Sequence, residues 1–179
     1  MVITNIYNTV NGSFWGVLFT TKLGFAESHI SLYMMLRSLI IAMCFFLIGP
    51  RLTTLQHFRL PLWIGFAASF VSQLLLVVMP PHTVPLLVTS VILEAVAAAL
   101  VGPMIESLLA MAMESHERAR ISAIVYVALL VFTAPFGWIA GQLSAIDRSL
   151  PFVLNMGLFV IGAGLVWLIG RFSSADLAD

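Results

Sequence analysis

Residues Val91 to Met113 read VILEAVAAALVGPMIESLLAMAM. The run exceeds the roughly 20 residues that a helix needs to cross about 30 Å of hydrocarbon. It nevertheless carries two carboxylates, Glu94 and Glu106, and a Gly102-Pro103 step between them. An ionised side chain at mid-bilayer costs at least about 2.5 kcal/mol on the mildest insertion scale, so such groups must face protein or water. A helix of this kind belongs to a bundle with a polar interior.

The rest of the chain agrees. Of its 179 residues 61% are hydrophobic and 9% charged, and the mean hydropathy is +1.07. A soluble domain carries about a quarter charged residues. The composition therefore specifies an integral membrane protein in a lipid bilayer. Net charge is zero, and without a basic run nothing points to a nucleic-acid partner. The one cysteine, Cys44, lies in an apolar run and is expected to be a small buried hydrophobe. The start, MVITNIYN, lacks the basic residues of a cleaved signal peptide.

Six apolar runs are predicted to span, at approximately Ile3–Thr21, Ser31–Gly49, Leu60–Met79, Val84–Met113, Ile121–Leu143 and Leu150–Gly170. Short connections rich in Gly and Pro join them, at 49–52, 79–85 and 145–151. Pro61, Pro85 and Pro151 fall near span starts, where a missing N–H costs nothing. The whole chain, 1–179, reads as one six-helix transmembrane domain, all α. With the N-terminus inside, Arg51, Arg59, Arg118, Arg120 and Arg171 lie on the cytoplasmic side and Lys22 and Arg148 outside. The positive-inside rule then predicts cytoplasmic termini in the cytoplasmic membrane. Pro61 and Pro151, in the openings RLPLWIG and RSLPFVLNMG, stand half the chain apart. That spacing suggests two triplets of opposite orientation, a 3+3 inverted repeat.

Polar residues concentrate in three spans. Span two holds Arg37, span four holds Glu94 and Glu106, and span one reads NIYNTVNGSFWG from Asn5 to Gly16. Asn8, Asn11 and Gly12 share one helical face. Spans one, two and four are expected to line a wet interior, with spans three and six as lipid-facing walls. Glu94 and Glu106 lie about 18 Å apart along a helix and point some 120° apart, so each needs its own environment. Arg37 and Glu94 differ in depth by about 6 Å, which two long side chains bridge, and an ion pair is expected. That pair could also be purely structural, and Glu106 could sit at the headgroups. His29, His57, His82 and His116 are all expected in loops, at no metal-ligand spacing. Gly137 and Gly141 form a GxxxG expected to mark a close helix contact.

The loop and fifth span, ESHERARISA followed by PFGWIAGQL, with span four's LEA…GPMIESLL, resemble the C-terminal half of a major facilitator superfamily transporter. The resemblance implies a secondary active transporter, or half of one, moving a small solute by alternating access, with proton-coupled efflux as one form. It implies that helices one, two, four and five face the pathway, with Gln142 as the contribution of span five. Glu94, Arg37, Glu106, Asn8, Asn11 and Gln142 become the substrate and proton pathway, and Gly102 and Pro103 a hinge. One six-helix unit would need a second half or a homodimer partner; a truncated or split product is the expected explanation. The alternative is a non-transporting assembly or regulatory subunit. No cofactor or metal is implied, and an intramembrane enzyme is not expected, since nucleophile and base do not share a span.

Overall fold

In this computed structural model the described residues are 1–48, 59–111, 113 and 116–175, without the side chains of Ile48, Arg59 and residues 169–175. The expectations placed on Arg51, His57 and the 49–52 connection lie outside them, as do those on the side chains of Arg59 and Arg171. Among the described residues the protein is all α. Helix α1 is Val2–Val17, followed by a π-helical turn at Leu18–Lys22. Helices α2 Ser28–Ile48, α3 Arg59–Val78, α4 Val84–Met111, α5 Arg118–Ile146 and α6 Leu150–Ala175 complete the bundle.

Leu, Val, Ala, Met and Phe fill these helices, and in hydrocarbon only a helix or a closed barrel satisfies every backbone N–H and C=O. Pro61, Pro85 and Pro151 each fall in a first turn, as the free N–H groups there permit. Five helices, α2 to α6, are long and apolar enough to cross a membrane by length and composition, which fits a multi-pass membrane protein. The first is not among them. Its α-helix has 16 residues, and its run of asparagines, Thr9 and Ser13 dilutes the apolar content.

The short connections make neighbouring helices antiparallel. Three of them gather at one end. Lys22 Nζ donates to the Val77 carbonyl at 2.9 Å, and the His82 backbone N–H donates to the Leu23 carbonyl at 3.0 Å. Helix α3 packs on α4 and α6, α2 on α4, and α1 on α5 and α6. Gly65 permits the α3–α4 approach, since a Cβ there would sit 2.3 Å from Val101 Cγ2. The GxxxG of α5 does face another helix: Cβ atoms at Gly137 and Gly141 would meet Thr9 and Phe14 of α1 at 3.9 and 4.0 Å.

Two expectations need refining and one needs correction. First, α3 does expose an apolar stripe, Leu60, Trp63, Ile64, Val71, Leu74 and Val78, as a lipid-facing wall would, but its other face is deep in the bundle. Within their most apolar stretches α3 and α4 are 44% and 50% buried, against 6% for α2. Helix α3 also buries Ser69, Ser72 and Gln73. Counting only ionisable residues missed these groups, whose amides and hydroxyls also avoid hydrocarbon. Second, the Gly102-Pro103 step expected as a hinge does not end α4, which runs on through both residues. Proline removes one N–H from the ladder, and the surrounding helix tolerates that loss. Third, His29 lies in the first turn of α2, not in a loop, because α2 starts at Ser28. Cys44 is free and half-buried.

Among the described residues three apolar clusters fill the bundle. One, near the end where the three connections meet, contains Trp15, Phe19, Tyr33, Leu76, Leu87 and Phe152. Another, further along, joins Tyr7, Phe66, Val101, Met104 and Phe159, and a small third one, Ile6, Val10 and Ala140, ties α1 to α5. On α4, Val91 belongs to the first cluster and Val101 to the second. Glu94 falls between them.

Candidate functional site

Glu94 is buried on α4, only 3% exposed, and its carboxylate is met from two other helices. Arg37 Nε of α2 donates to Glu94 Oε1 at 2.9 Å, the pairing that sequence depth led us to expect. Asn11 Nδ2 of α1 donates to the same oxygen, also at 2.9 Å. That amide lies 3.4 Å from the Tyr7 hydroxyl. The two residues are one turn apart on α1, which puts them on the same face. A carboxylate bonded by a guanidinium and an amide is held by charge-assisted bonds, roughly twice as strong as neutral ones.

The network borders a cavity of about 150 Å³, lined by α1 (Asn8, Asn11, Gly12, Trp15), α2 (Tyr33, Met34, Arg37) and α4 (Val91, Glu94). The α1 residues are spaced at i, i+3, i+4 and i+7, one stripe of the helix. Arg37 is the wetter partner: its side chain is 29% exposed, against 4% for Glu94. Asn8 is exposed at the rim and Asn11 buried behind it. A second cavity of about 90 Å³ lies on the other side of Glu94. Its walls include Tyr7, Asn8, Ser69, Ala98, Gly102 and Phe159. Glu94 and Asn8 line both cavities, so the carboxylate stands between two small chambers.

Not every expected residue joins this site. Glu106 is exposed, and its carboxylate oxygens lie 3.4 and 3.5 Å from the Tyr126 hydroxyl of α5. It lines neither chamber. Gln142 is exposed and also lies off both walls. Gly102 borders the second chamber without a break in α4. The twelve-residue separation of the two glutamates accounts for their different fates, since they occupy different faces of one helix.

Several polar groups were not anticipated. Tyr33 lies one helical turn before Arg37, a spacing that could have flagged it. Ser72 and Ser90 form a reciprocal clasp: each hydroxyl donates to the other's backbone carbonyl, at 3.0 and 3.1 Å. Asn155 Nδ2 of α6 donates to Gln73 Oε1 of α3 at 3.4 Å, with both residues fully buried. Nothing in the local sequence announces that pair, because its members are 82 positions apart.

Outside the helices, Asp147 accepts from the Ser149 backbone N–H at 2.7 Å and from the Ser149 hydroxyl. These bonds, and more weakly the Lys22 charge, hold its carboxyl below the usual aspartate value. No protein-family model, no curated protein and no solved structure matches this chain.

Proposed function

We propose that this chain is one six-helix half of a secondary transporter of the major facilitator type, with Glu94 as its coupling carboxylate. The carrying observation is a buried glutamate, paired with arginine and asparagine, between two cavities inside an apolar bundle. A carboxylate in that position can bind and release a proton, or a cationic group, toward either chamber.

Two further features support the reading. Exchanging the first three helices for the last three turns α1–α5 into α4–α2 and α1–α6 into α4–α3, and leaves α3–α6 as it is. These three pairs favour a 3+3 repeat, although the α5–α6 contact has no α2–α3 counterpart of similar extent among the described residues; in this reading α1 with the π turn Leu18–Lys22 is the sixth span. In addition, α1 exposes Asn8, Thr9, Gly12 and Ser13, a stripe that acyl chains would not solvate. A second half or a second copy faces that stripe across a wet interior, and the termini face the cytoplasm.

The test is proton-driven solute flux in vesicles containing the chain and the half it needs. Glu94→Gln should insert normally and lose proton coupling. Full coupled flux in that variant refutes the coupling role. A chain that carries no flux, yet stabilises a partner, would instead be an assembly subunit.

A further inference from the structure

The proposed transport reading leaves the solute open, and the unused hydrogen-bonding capacity of the 150 Å³ cavity narrows it. The Asn11 and Arg37 bonds to Glu94 both fall on Oε1, and Arg37 spends its Nε–H on that bond. The Tyr7 hydroxyl stands behind the pair, within reach of both side chains. Asn11 Oδ1 is buried without a partner. The wall therefore presents a carboxylate and one bare acceptor, Asn11 Oδ1, beside a partly exposed guanidinium that meets Glu94 through Nε alone.

Charge balance selects among ligands. A lone cation would compete with Arg37 for Glu94, and a lone anion would compete with Glu94 for Arg37. The anion would strand the buried Glu94 carboxylate, the situation that makes breaking a buried pair strongly unfavourable, and the cation would leave Arg37 without its partner. A molecule with both charges satisfies both ends at once. An ammonium offers several N–H donors to two adjacent acceptors, and a carboxylate matches the flat donor fork of arginine. An uncharged polyol would make only half-strength bonds at the same atoms. The volume sets the scale, since a cavity of about 150 Å³ holds a molecule of roughly six heavy atoms. Trp15, Met34 and Val91 leave an apolar wall for a short side chain.

We infer that this cavity binds a small α-amino-acid zwitterion, its ammonium on Glu94 and Asn11 and its carboxylate on Arg37. The inference rests on the transport reading for its purpose, but its test is separate. The purified full chain in lipid nanodiscs is melted in the presence of glycine, alanine, serine and valine. Three controls remove one feature each: alaninamide lacks the negative charge, N-acetylalanine lacks the positive charge, and glycerol lacks both. At least one zwitterion should raise the melting temperature saturably, with an apparent affinity tenfold or more above every control. Arg37→Gln and Glu94→Gln should each abolish the shift; the wild-type comparison decides even if a variant fails to fold. The inference is overturned if no zwitterion shifts the melt, or if alaninamide, N-acetylalanine or glycerol matches the best of them. Glu94-dependent proton flux in vesicles without zwitterion binding would overturn the ligand class and leave the transport reading standing. Saturable zwitterion binding without flux would support the ligand class and remove transport.

Discussion

Removing either side of the Arg37–Glu94 pair deletes one 2.9 Å hydrogen bond, yet the two deletions should differ in cost. In Glu94→Gln the acceptor survives as an amide and Arg37, already 29% exposed, can turn toward water. The loss is the difference between a charge-assisted and a neutral bond, about 1–2 kcal/mol. In Arg37→Leu the carboxylate stays behind, 4% exposed, with Asn11 as its remaining donor. Stranding a buried charge costs about 3–5 kcal/mol, and the surviving amide bond places this case near 3. For a chain of this size that corresponds to roughly 6–12 °C in melting temperature. The double variant removes the stranded charge, so it should be more stable than Arg37→Leu alone by about 1–2 kcal/mol. Thermal or denaturant unfolding of the four proteins in one detergent measures the cycle. The reasoning fails if Arg37→Leu is as mild as Glu94→Gln, or if the double variant is the least stable of the four.

Three smaller perturbations probe the packing and the loop. Gly65→Ala should lose about 1–3 kcal/mol through overpacking, because its Cβ would meet Val101 Cγ2 at 2.3 Å; Val101→Ala should restore most of that in the same unfolding assay. Gln73→Leu or Asn155→Leu alone strands a buried amide and should cost about 1–3 kcal/mol, whereas the double leucine variant should approach wild type. Asp147 has a lowered pKa, so its contribution to stability is complete above the usual aspartate value and fades as pH falls through the folded one. Ser149→Ala should move the Asp147 titration upward, read by carboxyl carbon shifts in NMR, and flatten stability across the acid range.

The sequence alone carried the helices and the ion pair for one physical reason: hydrocarbon tolerates neither unpaired backbone nor stray charge. Apolar run lengths therefore located α2 to α6, and counting from the span ends put Arg37 opposite Glu94. The same logic applied to charges alone overlooked the inner face of α3, whose Ser69, Ser72 and Gln73 are buried without being ionisable. The Gly102-Pro103 step read as a hinge, and proline's one missing bond in a 28-residue helix does not end α4. Glu106 and Gln142 lie on α4 and α5 at faces that only the packing reveals. The Gln73–Asn155 contact joins distant positions and has no local signature.

The central claim is that α1, α2 and α4 enclose water around Glu94 while the flanks of α2 and α5 meet lipid. Single cysteines at Asn8 and Gly12, at the cavity wall, and at Phe46 and Leu130, exposed apolar positions on α2 and α5, test it in a Cys44→Ser background. Intact membranes are treated with a small charged thiol reagent that cannot enter hydrocarbon. Cysteines at 8 and 12 should react and those at 46 and 130 should not. Silence at 8 and 12, or equal reaction at all four, would contradict the account.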